Sequence, residues 1–133
     1  MCGIIGYVGS NGGSVRVLID GLERLEYRGY DSAGIAFIND NGIEVIKKEG
    51  KIASLREDVN FDVKSNLGIG HTRWATHGKA TSSNAHPHRI GKITIVHNVI
   101  VENYDKLKAD LKNKGYDFKS ETDSQVVPVS YTN

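Results

Sequence analysis

Asn39-Asp40-Asn41-Gly42 is the stretch that most restricts how this chain can fold. Asn-Gly tolerates the positive φ angles of a tight turn, and a β-rich run lies on each side of it: 33–38 before, and Ile43, Val45 and Ile46 after. The second run must therefore return along the first as the other half of a hairpin. Residues 3–8 form a further short strand, because Ile4, Ile5, Tyr7 and Val8 suit a pleated surface between flanking glycines. Residues 67–72 and 92–98 read the same way. Val15, Leu18, Ile19, Leu22 and Leu25 fall on one helical stripe, with Arg16, Asp20, Glu23 and Arg24 off it, which predicts an amphipathic helix. A short helix is expected between 51 and 59. Another around Tyr104, Leu107, Lys108 and Leu111 ends at Gly115. Periodicity alone thus gives a mixed α and β chain.

Two stretches resist that pattern. Residues 73–91 have almost no apolar content and read as one long loop, yet they hold Arg73, Trp74 and three histidines, a composition for binding and not for linking. Near the end, Thr122-Asp123-Ser124-Gln125 has the form of a capping box, but Pro128 follows. The segment 126–133 is therefore expected to be one turn or irregular. With 133 residues the chain has the length of one domain. A net charge of +1 excludes the charge asymmetry that nucleic acid or an anionic membrane selects. The single cysteine excludes an intramolecular disulfide and fits a reducing compartment, so the cytoplasm is the expected location. The opening apolar run lacks a basic leader and is far shorter than the ~20 residues of a membrane span, so no targeting segment is expected.

The one cysteine, Cys2, stands next to the initiator. Removal of Met1, usual before a small second residue, leaves thiol and free amine on adjacent atoms. A free thiol ionises near ~8.5 and a chain-terminal amine near ~7.7–8.0, so the amine can relay the thiol proton without another side chain. The five histidines between His71 and His97 include His86-Pro87-His88, a spacing that can serve a metal. No acidic residue lies among them, however, and the cysteine is remote, so hydrogen bonding is the preferred role and no metal or cofactor is expected. Arg73, Trp74 and Thr76, where a strand meets the loop, suit a carboxylate held by a guanidinium fork. Asp123 suits an ammonium group. Asn98, ending a strand, can aim an amide donor at a developing oxyanion.

Five ordered motifs extend this pattern: Cys2-Gly3-Ile4-Ile5-Gly6-Tyr7, the run from Arg24 to Gly34, the run from Gly70 to Gly78, Asn84-Ala85-His86-Pro87-His88, and Ser120-Glu121-Thr122-Asp123. Together, across residues 2 to about 126, the chain resembles the glutaminase domain of the glutamine–fructose-6-phosphate aminotransferases, class II glutamine amidotransferases. The resemblance implies an α+β fold of the N-terminal-nucleophile hydrolase type, an αββα sandwich, here shortened, with 1–133 as the N-terminal portion of that domain. It implies L-glutamine as substrate, hydrolysed to glutamate and ammonia. Cys2 would be the nucleophile, with Arg28 ordering its surroundings and the Asn98 amide nitrogen binding the oxyanion. Arg73 would bind the substrate carboxylate and Asp123 its ammonium. Trp74, Thr76 and His77 would close over the ligand, and the His86 and His88 pair would bind no metal. Fructose 6-phosphate would be reached only through sugar-phosphate isomerase domains absent from this chain, and a homodimer belongs to the full-length enzyme.

Two departures from the family are visible. Its motif reads His-Asn-Gly where this chain has His97-Asn98-Val99, and the backbone N–H at that third position is the second oxyanion donor. The family's domain is also longer. A rival reading follows: a glutamine-binding or interaction module impaired in catalysis by Val99 and by its shortness. A purine-pathway or asparagine-forming amidotransferase is disfavoured by Tyr27-Arg28-Gly29-Tyr30-Asp31 and by Thr72-Arg73-Trp74-Ala75-Thr76-His77.

Overall fold

The computed structural model describes residues 1–75 and 78–132. In chain order it contains β1 (Gly3–Val8), α1 (Ser14–Arg24), a 3-10 turn (Glu26–Arg28), β2 (Ser32–Asn39) and β3 (Gly42–Glu49). Then come α2 (Ile52–Glu57), β4 (Leu67–Arg73), β5 (His88–Ile90), β6 (Ile93–Ile95) and α3 (Tyr104–Asn113). A 3-10 turn (Asp123–Gln125) and α4 (Val126–Tyr131) complete the order.

The hairpin forms where the Asn-Gly signal places it. Gly42 takes φ 108°, a value that a side chain would oppose, and β2 and β3 pair antiparallel from Asn39 opposite Gly42 to Ser32 opposite Glu49. β4 pairs antiparallel with β2 on one side and with β1 on the other, giving one sheet of order β1-β4-β2-β3. The predicted helical stripe is the buried face of α1: Val15, Leu18, Ile19 and Leu22 lie against Ala33, Ile35 and Phe37 of β2. Ile52 and Leu55 of α2 complete this apolar core. The start of α2 is pinned by Tyr30, whose hydroxyl accepts the Ile52 N–H at 2.8 Å and donates to Glu26 at 2.8 Å.

The opposite face of the sheet is covered differently. β5 and β6 form a two-stranded antiparallel sheet, backed by α4, with α3 packed on α4. Buried groups on this side are mostly polar: His71, Arg73, Asn84, His86, His88, Ser120, Thr122, Asp123, Ser124 and Gln125. Arg89 ties the two sheets through the Ile43 carbonyl at 2.7 Å.

Four expectations need correction. The stretch 73–91 is not one loop, because His88–Ile90 enters a strand, and the strand expected over 92–98 is confined to Ile93–Ile95. The segment after Gln125 is a helix longer than one turn. Pro128 is accommodated because it falls in the first turn of α4, where backbone N–H groups have no intrahelical acceptor to lose. Thr122 and Gln125 do not close a capping box. Gln125 accepts from the Ser120 N–H and hydroxyl, and Thr122 bonds to His88.

Candidate active site

The register of β1 on β4 builds the site. Gly3 lies opposite Thr72, so Cys2, just before β1, meets the chain as it leaves β4 at Arg73 and Trp74. The Trp74 N–H donates to Cys2 Sγ at 3.2 Å, and the thiol faces the Trp74 carbonyl at 3.7 Å. Cys2 is half-buried, and both of these sulfur contacts are to the main chain of Trp74. Asp31, at the entry to β2, fixes the same exit: its N–H donates to the Arg73 carbonyl at 2.7 Å and its carboxylate accepts the Ala75 N–H.

Arg73 is 3 % exposed, and its guanidinium donates to the carbonyls of Lys79 at 2.8 Å and Gly78 at 3.2 Å. That loop is held in turn by Asn84, which donates to the Lys79 carbonyl and to Glu121 and accepts the Glu121 N–H. The bonds from Asn84 and from the Lys79 N–H hold the Glu121 carboxyl below its usual range.

From β6 the chain runs through His97, Asn98 and Val99. The Asn98 amide nitrogen donates to the Cys2 carbonyl at 3.3 Å. Val99 is 75 % exposed, and no described non-glycine residue has positive φ, so Val99 takes ordinary backbone geometry. Asp123 accepts the Val101 N–H at 2.6 Å and the Ser124 hydroxyl at 3.3 Å.

A cleft is lined by Cys2, Arg73, Trp74, His86, His97, Asn98, Val99, Ile100, Thr122, Asp123 and Ser124. It unites six residues singled out from the sequence: Cys2, Arg73, Trp74, Asn98, Val99 and Asp123. Its lining thus includes an arginine, an aspartate, the one cysteine and the Asn98–Val99 pair. Such a cleft can hold an α-amino acid by its charged groups and present its side chain to sulfur.

The family whose description is "Glutamine amidotransferase domain" matches residues 56–133. The chain belongs to that family. The glutamine–fructose-6-phosphate aminotransferase [isomerizing] of Fusobacterium nucleatum is 55 % identical over 130 residues, 96 % of this chain and 21 % of the relative. The enzyme of the same name from Synechocystis is 54 % identical over 132 residues, 97 % of this chain and 21 % of the relative. That from Bacillus subtilis is 53 % identical over 129 residues, 96 % and 21 %. The chain thus spans about a fifth of the length of these relatives.

Among solved structures, the glutamine phosphoribosylpyrophosphate amidotransferase from B. subtilis superposes with TM-score 0.80 at 26 % identity, over 97 % of this chain and 28 % of that one. A second, described as the allosteric regulatory enzyme of purine biosynthesis, gives TM-score 0.79 at 27 % identity, over 95 % and 28 %. The α+β sandwich of the N-terminal-nucleophile hydrolase type is therefore the fold of this amidotransferase domain, its second sheet represented by the β5–β6 hairpin. Identity separates these relatives: 55 % with the Fusobacterium nucleatum aminotransferase against 26 % with the phosphoribosylpyrophosphate amidotransferase.

One of the expected site residues, Arg28, is not in the cleft lining of the amidotransferase domain. Arg28 ends the first 3-10 turn, where its guanidinium meets the Met1 sulfur and its carbonyl lies 3.5 Å from the Met1 amine. Thr76 and His77 lie outside the described residues. The sequence reading passed over Asp31, His71 and His97 as individual residues. Asp31 sits in an aperiodic polar stretch whose only signal was its lack of any period, and the histidines carried no partner that spacing could show.

His71, His86 and His88 are buried, and burial favours the neutral form of each. Burial pushes His71 down to about 4, with Arg73 adding to the effect and the bond to His97 opposing it. Burial likewise pushes His88 down to about 3, with Lys47 next in effect, and drives His86 far below the imidazole range, helped by His71 and His88. Gly34 of β2 makes room for this layer. A Cβ there would run into the His86 carbonyl and come within 3.0 Å of the Ile46 carbonyl.

Proposed function

We propose that this chain hydrolyses the side-chain amide of L-glutamine, as the glutaminase part of a glutamine–fructose-6-phosphate aminotransferase. The observation that carries the reading is the convergence of Cys2, Arg73, Asn98 and Asp123, from four separate segments, on one cleft. Arg73 takes the substrate α-carboxylate and Asp123 its α-ammonium, with Trp74, Thr76 and His77 forming the covering loop and Arg28 bracing the N-terminus. The Cys2 thiolate adds to the amide carbon, and the oxyanion so formed is held by the Asn98 amide nitrogen and the Val99 N–H. Collapse breaks the C–N bond, and ammonia departs with the proton that the Cys2 amine took from the thiol. Water then cleaves the thioester to glutamate, returning the thiol. Delivery of ammonia to fructose 6-phosphate needs the remainder of the longer relatives. A thiol nucleophile suits the reducing cytoplasm, and no described helix is long and apolar enough to cross a membrane.

The test is glutamine turnover by purified chain whose N-terminus has been mapped by mass. Ammonia release by Met1-free protein, with a glutamine-analogue electrophile labelling Cys2, is the expected result. Turnover by protein that keeps Met1 would remove the amine from the mechanism. A second reading, glutamine binding without turnover, is favoured by Val99 at the oxyanion position and by the engagement of the Asn98 nitrogen with the Cys2 carbonyl. Loss of an oxyanion donor typically costs about 2.7–4 kcal/mol of barrier. Comparing kcat and glutamine affinity of Val99→Gly with the parent separates the two. Restored turnover at similar affinity selects the second reading, and equal kcat selects the first.

A further inference from the structure

His71 and His86 are neighbours across the site without being part of the chemistry so far described. Their rings stack at 4.1 Å with 17° between planes, and both are nearly inaccessible to solvent. Each reaches one polar group of the same residue. His71 Nε2 lies 2.8 Å from the His97 carbonyl oxygen, and the His97 N–H donates to His86 Nδ1 at 3.3 Å. One residue further on begin Asn98 and Val99, both in the cleft lining.

These contacts dictate tautomers. A carbonyl can only accept, so His71 must carry its proton on Nε2. An N–H can only donate, so His86 must keep Nδ1 bare and carry its proton on Nε2. Protonating His86 at Nδ1 would break its bond and place a cation against a stacked ring, with Arg73, His88 and His97 close by. The arrangement also leaves His71 Nδ1 buried with no partner among the described residues. A buried polar atom left unpaired calls for an explanation beyond stability.

We propose that His71 and His86 are positioning residues that clamp the His97 main chain from both sides and so set the direction in which the Asn98 amide and the Val99 N–H enter the cleft. The inference rests on the glutaminase reading for its consequence, but the clamp itself can be read without activity. Oxyanion donors act only when aimed at the atom where charge develops, and a displacement of about 1 Å can cost a hundredfold in rate.

In the 133-residue chain, nitrogen NMR should find His71 and His86 both protonated on Nε2; a proton on Nδ1 of His86 overturns the clamp. His86→Leu is expected to speed hydrogen exchange of the His97 amide about tenfold or more. His86→Asn, which keeps an acceptor near the Nδ1 position, should leave that rate near the parent's. Unchanged exchange in His86→Leu overturns the proposal. In turnover, His71→Leu and His86→Leu should lower kcat about tenfold or more with KM within about twofold, while His71→Gln and His86→Asn recover most of kcat. A released His97 amide with unchanged kcat shows a clamp that positions nothing for chemistry, and overturns it. Should the leucine variants fail to fold, the tautomers of the parent and the kcat of the conservative variants decide. A parent chain that leaves glutamine intact defeats the glutaminase reading instead, and the tautomers and exchange rates then judge the clamp.

Discussion

Asp31 shows how much of the site is held by groups that never meet the ligand. Its N–H and its carboxylate bond to the main chain on either side of Trp74, the residue whose N–H donates to Cys2 Sγ. Asp31→Ala is expected to cost about 1–3 kcal/mol of stability, because the Ala75 N–H loses its acceptor. It should also weaken glutamine binding by letting Trp74 drift; a denaturant titration and a glutamine titration of the variant check both. Arg73 is a second case in which the geometry of the group matters more than its charge. It already bridges two loop carbonyls, and an ammonium cannot span them and a carboxylate together. Arg73→Lys should therefore weaken glutamine binding, with unchanged apparent affinity as the opposing outcome. Arg73, Asp123 and Cys2 were legible in the sequence because each residue type names its chemistry. Asp31 was not, because the backbone atoms it holds at Arg73 and Ala75 lie more than forty positions away and no local pattern records them.

At the scale of elements, the parts that could be read were those whose neighbours are uniform. The stripe of α1 answers to one apolar core, so period and burial agree, and β2, a continuous apolar run beside a turn signal, is buried from Ser32 to Phe37. β5 was invisible because it has three residues and begins with a buried histidine, and because the layer around it is polar. In that layer hydrogen-bond partners decide burial, and hydrophobic period is silent. Tyr30 was quoted as part of a motif, yet its work is structural. Tyr30→Phe removes the acceptor of the Ile52 N–H at the start of α2 and should cost about 0.5–1.5 kcal/mol by thermal melting. Gly34→Ala should be worse, at about 1–3 kcal/mol, because the new methyl meets backbone on both sides. Its effect on kcat should also exceed that of Tyr30→Phe, since the displaced segment is the one that carries His86.

For the whole molecule, the two faces of the central sheet respond differently to acid. His71 and His88 titrate near 4 and 3 in the folded chain against an ordinary 6.5, so the unfolded chain binds more protons between those limits. Stability is then complete above about pH 6.5 and falls as pH drops toward 4 and 3. Arg73 and Lys47 strengthen this trend and Asp31 opposes it at His71. The depressed Glu121 carboxyl adds a loss of the same sign at lower pH. The melting temperature should decline steadily between pH 7 and 4.5, and His71→Gln should flatten the decline; a profile unchanged by that substitution would place the acid sensitivity elsewhere. The order of strands carries a different consequence, for the timing of biosynthesis. β1 is an edge strand whose partner in the sheet is β4, so the first residues made wait for Arg73 before they have anything to pair with. At ~5–20 residues per second that delay is roughly 3–13 s. Throughout it Cys2 stands on a segment with no sheet partner, and only the later pairing with β4 brings it against Trp74.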